Sequence, residues 1–373
     1  MASKTLEKLK TDYLRKYAAD RKWILEWKQG NGIDQAVVIP ARAERRHLFK
    51  TLSSLADNPG PCLARTLVVC VVNNRERDLG NKQLLSNNQV TLEYLRALSV
   101  GQAPSLRHDD AELEKTMHRI IINRLQIAFI DASSEGMALP DRDGVGLARK
   151  IGMDRVLEVL GGKRGLPPLL ICLDADTLVD DQYLPAIEHF FSENDAMAAV
   201  IPFAHQDFGD DSILEAITHY EIFLRYYVMG LKHAGSPYAF PTVGSTITCT
   251  EPAYVAVRGM SLRQAGEDFY FLNKLAKTGR IGHINNTKVH PSVRPSDRVP
   301  FGTGPSVLKH LHNPRDRCMG YHPEIFNIIK IFLTIFVIIP FGMRRKYYFG
   351  PGKSIGSWRY SSMLSISAMP GIG

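Results

Sequence analysis

Asp174-Ala175-Asp176 stands directly behind the apolar run Leu169-Leu170-Ile171-Cys172-Leu173. Carboxylates spaced in this way offer hard oxygens, the donors that Mg²⁺ or Mn²⁺ prefers. A cation held there and bridging a diphosphate would neutralise charge on a departing nucleotide. Acidic pairs also occur in turns and as helix caps, so the pair takes its meaning from what accompanies it. A second acidic pair, Glu267-Asp268, follows Gly266 and precedes Phe269, Leu272, Leu275 and Ala276 at helical spacing, with Gly279 as the stop. That places Asp268 in a first helical turn, where the helix dipole favours the ionised carboxylate that a general base requires. Plain capping is the other use of acids at such a position.

The elements around these residues read as alternating strands and helices. Ala36 to Pro40 and Thr66 to Val72 are continuous apolar runs, the pattern of strands buried on both faces. Leu125 to Ile130 and Leu169 to Leu173 are further strands, with helices expected over 44–55 and 142–160. Such alternation predicts an α/β fold, a mostly parallel sheet flanked by helices. Asp174 and Asp176 then lie at the carboxyl end of a strand, where open α/β sheets bind ligands. Residues 79–117 read as a polar insert outside the sheet, with helix around 110–123.

In order and spacing, these motifs resemble family 2 glycosyltransferases of the GT-A fold, a Rossmann-like architecture. The likeness runs from Val37-Val38-Ile39-Pro40-Ala41-Arg42-Ala43-Glu44 through Leu52-Ser53-Ser54-Leu55 and Gly146-Leu147-Ala148-Arg149-Lys150-Ile151-Gly152 to Asp174-Ala175-Asp176. It continues over Gly244-Ser245, Tyr254 and Gly259-Met260 to Glu267-Asp268, covering about residues 35–305. The resemblance implies a nucleotide-sugar donor held by the first strand and by Pro40, Ala41, Arg42 and Glu44. Arg149 would lie by the diphosphate, Asp174 would contact ribose or sugar, and Asp176 would ligate Mn²⁺ or Mg²⁺ with Asp174 beside it. Gly244 and Ser245 would flank the donor sugar and acceptor. Glu267 and Asp268 would form the catalytic pair, with Asp268 taking the acceptor hydroxyl's proton in an inverting displacement. A glycan, lipid-linked or small-molecule acceptor is implied.

The chain departs from the family pattern in places. The second strand ends at Asn73-Asn74 where the family carries an acid that contacts the base, so Asn73 is the candidate here; its amide offers a donor as well as an acceptor. Lys150 stands where the family often has Asn, and is expected to add charge near the diphosphate. Asp131 and Asp143 are further polar candidates with no role assigned. Beyond the acidic helix, His290 is a candidate third metal ligand, while Arg294 and Arg298 are candidate phosphate clamps. Gly302 and Gly304 would let backbone approach closely. A sugar-phosphate nucleotidyltransferase is the rival reading, but it requires a Gly-rich loop where Ala41-Arg42-Ala43-Glu44-Arg45 stands. A non-catalytic sugar-binding relative is a second rival, opposed by the intact acids.

The flanks complete the picture. Residues 3–28 read as one amphipathic helix, a core-docking helix in preference to a membrane-surface one, within an N-terminal unit 1–34. A catalytic domain over 35–305 and a C-terminal extension over 306–373 follow. Ile325 to Phe341 is apolar, yet at 17 residues a helix spans about 25 Å, short of the roughly 30 Å hydrocarbon core. Asn327, Lys330 and Thr334 fall on one face, and Arg344-Arg345-Lys346 follows. Packing on the protein or peripheral contact with a membrane surface is expected, with a loosely ordered tail after Tyr348. The net charge of +8 suits anionic partners such as nucleotide phosphates. The basic residues are scattered and no nucleic-acid recognition motif is present, so nucleic acid is not expected. The cysteines, at 62, 70, 172, 249 and 318, form no CxxC pair, which argues against zinc and for reduced, buried thiols in a cytoplasmic protein.

Overall fold

The computed structural model describes residues 2–28, 30, 32–106, 110–161, 166–207, 209–263, 265–296, 302–313 and 320–338. Helix α1 (Ala2–Lys16) leads to β1 (Gln35–Ala41), α2 (Arg45–Ala56), α3 (Gly60–Leu63) and β2 (Thr66–Asn73). Then come α4 (Lys82–Ser99), α5 (Ala111–Ile122), β3 (Gln126–Ala132), α6 (Val145–Val156), β4 (Leu169–Cys172) and the short β5 (Leu178–Val179). The second half holds α7 (Tyr183–Glu193), β6 (Ala198–Val200), α8 (Asp211–His233), β7 (Ile247–Thr250), α9 (Glu251–Ala256) and α10 (Glu267–Leu275). It closes with β8 (Ile281–His283), β9 (Val289–His290), α11 (Thr303–His312) and α12 (Pro323–Ile338).

The described residues form a seven-stranded sheet in the order β3-β2-β1-β4-β7-β6-β8. β3, β2, β1 and β4 pair in parallel, as do β6 and β8, while β7 runs antiparallel to β4 and β6. The mostly parallel α/β sheet expected from the apolar runs is therefore present. Strand alternation explains why those runs are apolar throughout. Val37, Ile39 and Ala41 of β1 enter the core on one face, and Ala36 and Val38 the core on the other. From β1 the chain reaches β2 on one side and later β4 on the other. The carboxyl ends of β1 and β4 therefore flank a switch point, the place where open sheets bind ligands. Helix α6 follows β3 and so begins at that same end. It lies close against the sheet at Gly152, where a Cβ would collide with the Val38 and Val71 side chains.

Several expectations need correction. The N-terminal helix ends at Lys16 rather than continuing to 28. After it the chain turns, buries Trp23, and adds Glu26 to the sheet edge as a bridge to Phe129. Asp154 Oδ2 accepts the Ala19 N–H at 2.7 Å, so the side chain of α6 satisfies the backbone of the turn. The insert lies outside the sheet and its expected helix is α5, but it also holds an 18-residue helix, α4, which packs on β2, β3 and α2. Its sequence hides this because it buries Asn88 and Thr91 along with leucines. The C-terminal helices α11 and α12 both pack on α8. None of the described helices is long and apolar enough to cross a membrane. Residues 339–373, including Arg344 to Lys346 and the tail after Tyr348, lie outside the described residues, as does Cys318.

Candidate active site

The turn after β4 is fixed by backbone bonds from Leu173 N–H to Val38 O at 3.2 Å and from Thr177 N–H to Asp174 O at 3.2 Å. It presents Asp174 and Asp176 half-buried at the switch point. Because β7 is antiparallel to β4, its leading end lies beside the trailing end of β4. This brings Gly244 and Ser245 to Asp174, whose carboxylate accepts a hydrogen bond from Ser245 Oγ. Ser245 Oγ also lies 3.0 Å from Thr177 Oγ1.

Arg149, in the second turn of α6, is buried and pairs with Asp174 through Nη2 and with Glu267 through Nε at 3.3 Å. Burial works against its charge, but Asp174, Glu267 and Asp268 outweigh it and keep the guanidinium protonated. Its Nη1 is buried and lacks a hydrogen-bond partner among the described residues. Gly244 leaves room for this arginine, since a Cβ there would press on its Nη2.

α10 begins at Gly266, whose φ of +71° is left-handed and suits glycine. Glu267 is buried against Arg149, and Asp268 is half-buried with Oδ1 accepting the Phe269 N–H at 2.7 Å. Burial raises the pKa of both carboxyls. Glu267 is lifted further by Asp268 and lowered by Arg149, while Asp268 is lowered by the Phe269 N–H and by Arg149.

A second arginine meets the cluster from β9. The pairing of Leu178 with His290 and Val179 with Val289 runs antiparallel, so the residues after β9 fall back along those before β5. Arg294 Nη2 bonds Asp176 Oδ2 at 3.0 Å and also pairs with Glu44. Burial, then Asp174 and Glu44, push the Asp176 carboxyl up to about 7, with Arg294 opposing. The sequence-selected Glu44, Asp174, Asp176, Arg149, Glu267, Asp268 and Arg294 thus form one linked set of acids and arginines.

Other selected residues are placed differently. Pro40 and Ala41 are buried in the end of β1, and Arg42 forks onto Asp78, Nε to Oδ2 at 3.0 Å and Nη2 to Oδ1 at 2.8 Å. Asn73 is buried at the end of β2 and its carbonyl accepts from Asn88 Nδ2 at 3.0 Å. Asp131 closes the turn after β3 by accepting the N–H groups of Ser133 and Ser134, each at 2.9 Å. His290 has both ring nitrogens engaged, Nδ1 with Ala204 O at 3.1 Å and Nε2 with Asp180 Oδ1 at 2.9 Å. No group of three or more His, Cys, Asp or Glu able to hold a metal occurs among the described residues. Arg298 lies outside the described residues. Lys150 does not add charge at this site. One residue advances an α-helix by about 100°, so Lys150 points away from Arg149 and bonds Tyr13 Oη at 2.6 Å and Asp154 at 2.9 Å.

Three contributors were not singled out from the sequence. Asn88 accepts the Ala43 N–H at 2.8 Å through Oδ1 and so fixes the 41–44 turn, in which Ala43 holds a left-handed φ of +57°. Strain of this kind gathers at functional sites. Asp78, five residues beyond the end of β2, anchors Arg42. Gln206 Nε2 joins Asp176 O at 2.9 Å to His290 O at 2.7 Å, tying the metal-candidate turn to β9. None has a local pattern of its own.

Two cavities lie apart from this cluster. One of about 650 Å³ is lined by Arg45, Arg46, His47 and Lys50 of α2 and by α5, and one of about 370 Å³ by Asp34, Arg65 and Glu188 at the opposite end of the strands. Neither brings together the acids and arginines described above, so the open cluster at the switch point is the stronger candidate for chemistry.

Comparison with solved structures returns distant likenesses. S. aureus TarS 1-349 in complex with UDP-GlcNAc is 11% identical, over 84% of this chain and 78% of that one, with a TM-score of 0.43. TarS 1-349 alone is 14% identical over 70% of this chain, with a TM-score of 0.41, and the match spans 61% of its length. M. tuberculosis glucosyl-3-phosphoglycerate synthase is 13% identical over 78% of this chain and 82% of that one, with a TM-score of 0.36. Likenesses this remote carry no weight for chemistry. No protein-family model and no curated protein matches the chain.

Proposed function

We propose that this chain is a glycosyltransferase of family 2 type that moves a sugar, a hexose in the simplest case, from a nucleotide-sugar donor to an acceptor hydroxyl. The observation that carries the proposal is the convergence at one sheet switch point of Asp174 and Asp176, two partly or fully buried arginines, and the α10 carboxylates. A polysaccharide, a lipid-linked glycan or a small molecule would serve as acceptor.

Mn²⁺ or Mg²⁺ fits this donor set. Asp174 and Asp176 supply hard oxygens, and such cations commonly take only one or two protein carboxylates together with substrate phosphates. The proton affinity of Asp176 is raised by burial first and then by the neighbouring carboxylates Asp174 and Glu44. When bound, the ion would neutralise charge developing on the leaving nucleotide diphosphate.

The chain's own residues do the rest. Arg149, with Nη1 unsatisfied, offers a donor to an anionic or polar donor group. Arg294 holds Glu44 and Asp176 together and can exchange a carboxylate for a phosphate oxygen. Asp268, made more basic by burial, accepts the acceptor hydroxyl's proton as that oxygen bonds the anomeric carbon and the bond to the diphosphate breaks. One displacement on the far face of the sugar inverts the anomeric centre. Glu267 holds Arg149 beside Asp174. Asp268→Asn tests this assignment: nucleotide binding persists and transfer falls by about 10²–10⁴-fold. Full transfer by that variant would remove Asp268 as the base.

A further inference from the structure

We propose that α12 is a docking element that rests the protein on an anionic lipid surface. The inference stands whether or not the transferase reading holds. With 3.6 residues per turn, α12 divides into three faces. Phe326 and Leu333 are buried, with Ile329 and Phe336 half-buried beside them. This face packs on α8, where Phe326 lies on Gly230 and edge-on to Tyr226, with ring centroids 5.7 Å apart. Asn327, Lys330 and Thr334 form a polar face. Asn327 Oδ1 meets His233 Nε2 at 3.0 Å, and its Nδ2 donates to Glu324 at 3.0 Å.

The third face is apolar apart from Glu324 in the first turn. Ile325, Ile328, Ile331, Phe332 and Ile335 span an arc of about 120°, and Ile328 and Ile331 are each 60% exposed. On α8, Ile222 and Met229 are also exposed. An exposed apolar helix face of this kind marks a partner.

The surroundings point to lipid. Lys330 is exposed on the polar face of α12, His233 is exposed beside Asn327 of that face, and the chain carries a net charge of +8. In sequence, α12 is followed by Arg344-Arg345-Lys346 and then Tyr347-Tyr348-Phe349, basic and aromatic residues of the kind that favour anionic headgroups and the interface. The 16 described residues of α12 are about 24 Å long, and an apolar face backed by a polar one suits a helix lying in the bilayer surface.

The test is sedimentation of the full chain with vesicles of phosphatidylcholine alone or of phosphatidylcholine with phosphatidylglycerol. The double variant Ile328→Glu/Ile331→Glu and the milder Ile335→Gln are run alongside, with melting and sedimentation velocity measured without lipid. The proposal expects binding to the anionic vesicles, weakening with salt, and a loss on the order of tenfold or more in the double variant with melting unchanged. Ile335→Gln should weaken binding less, and it carries the test if the double variant misfolds. Three results would overturn the proposal: no vesicle binding by the wild type, binding indifferent to both variants, or equal binding to neutral vesicles. A wild-type dimer that the variants dissociate, without vesicle binding, would assign the face to a second copy of this chain.

Discussion

At the scale of single residues, the site is a set of charges held in opposition. Asp176 titrates near 7 because it is buried beside Asp174 and Glu44, against an unfolded value of about 4. The native state therefore holds the extra proton between those values, and stability contributed by this group declines as pH rises from about 4 to about 7. Melting of the metal-free protein should show that decline, and Mn²⁺ should reverse it most strongly above pH 7. Asp176→Asn should lessen the decline, to which the raised Glu267 and Asp268 also contribute, and abolish metal-dependent nucleotide binding. A melting profile that Asp176→Asn leaves unchanged would contradict the assignment. Asp268 is likewise raised by burial, and the base must be deprotonated to act. Transfer should therefore fall on the acid side at a pH above the ordinary carboxylate value of about 4, measured as kcat against pH. Arg149→Lys keeps one charge but loses the fork that reaches both Asp174 and Glu267. It should raise KM for the donor by about tenfold or more, equivalent to about 1.4 kcal/mol.

At the scale of elements, the sheet places these residues and the N-terminal segment braces it. Asp154, fully buried on α6, accepts from Tyr13 Oη at 2.6 Å, Tyr254 Oη at 2.7 Å and the Ala19 N–H at 2.7 Å, and pairs with Lys150. Asp154→Ala strands the buried Lys150 charge and should cost about 3–5 kcal/mol, read by denaturant unfolding. Gly152→Ala drives a methyl into Val38 and Val71 and should cost about 1–3 kcal/mol. The elements that the sequence reveals are those whose burial is uniform. β1, β2 and β4 lie between two cores and read as unbroken apolar runs. α4 was hidden because its buried face includes Asn88 and Thr91, polar residues that serve the neighbouring turn and its own backbone. The approach of Arg294 to Asp176 depends on β5 and β9, strands of two residues each, too short to carry any periodicity. Lys150 shows that adjacency in sequence is not adjacency on a helix. Its neighbour Arg149 turns to the site while it turns to Tyr13.

At the scale of the whole molecule, the acids and arginines gather at one end of the sheet, while α12 presents its apolar face from its place on α8. A donor that binds only the native state must stabilise the entire fold, by about 2.7 kcal/mol at a hundredfold excess over Kd. The most direct test is a melting-temperature screen of UDP, GDP, ADP, CMP and dTDP sugars, each with and without Mn²⁺, on the wild type and Asp176→Asn. The account predicts that one nucleotide class raises the melting temperature only with metal, and that Asp176→Asn loses the effect. Folded protein that responds to none of them, or responds equally without metal and in the variant, would contradict it.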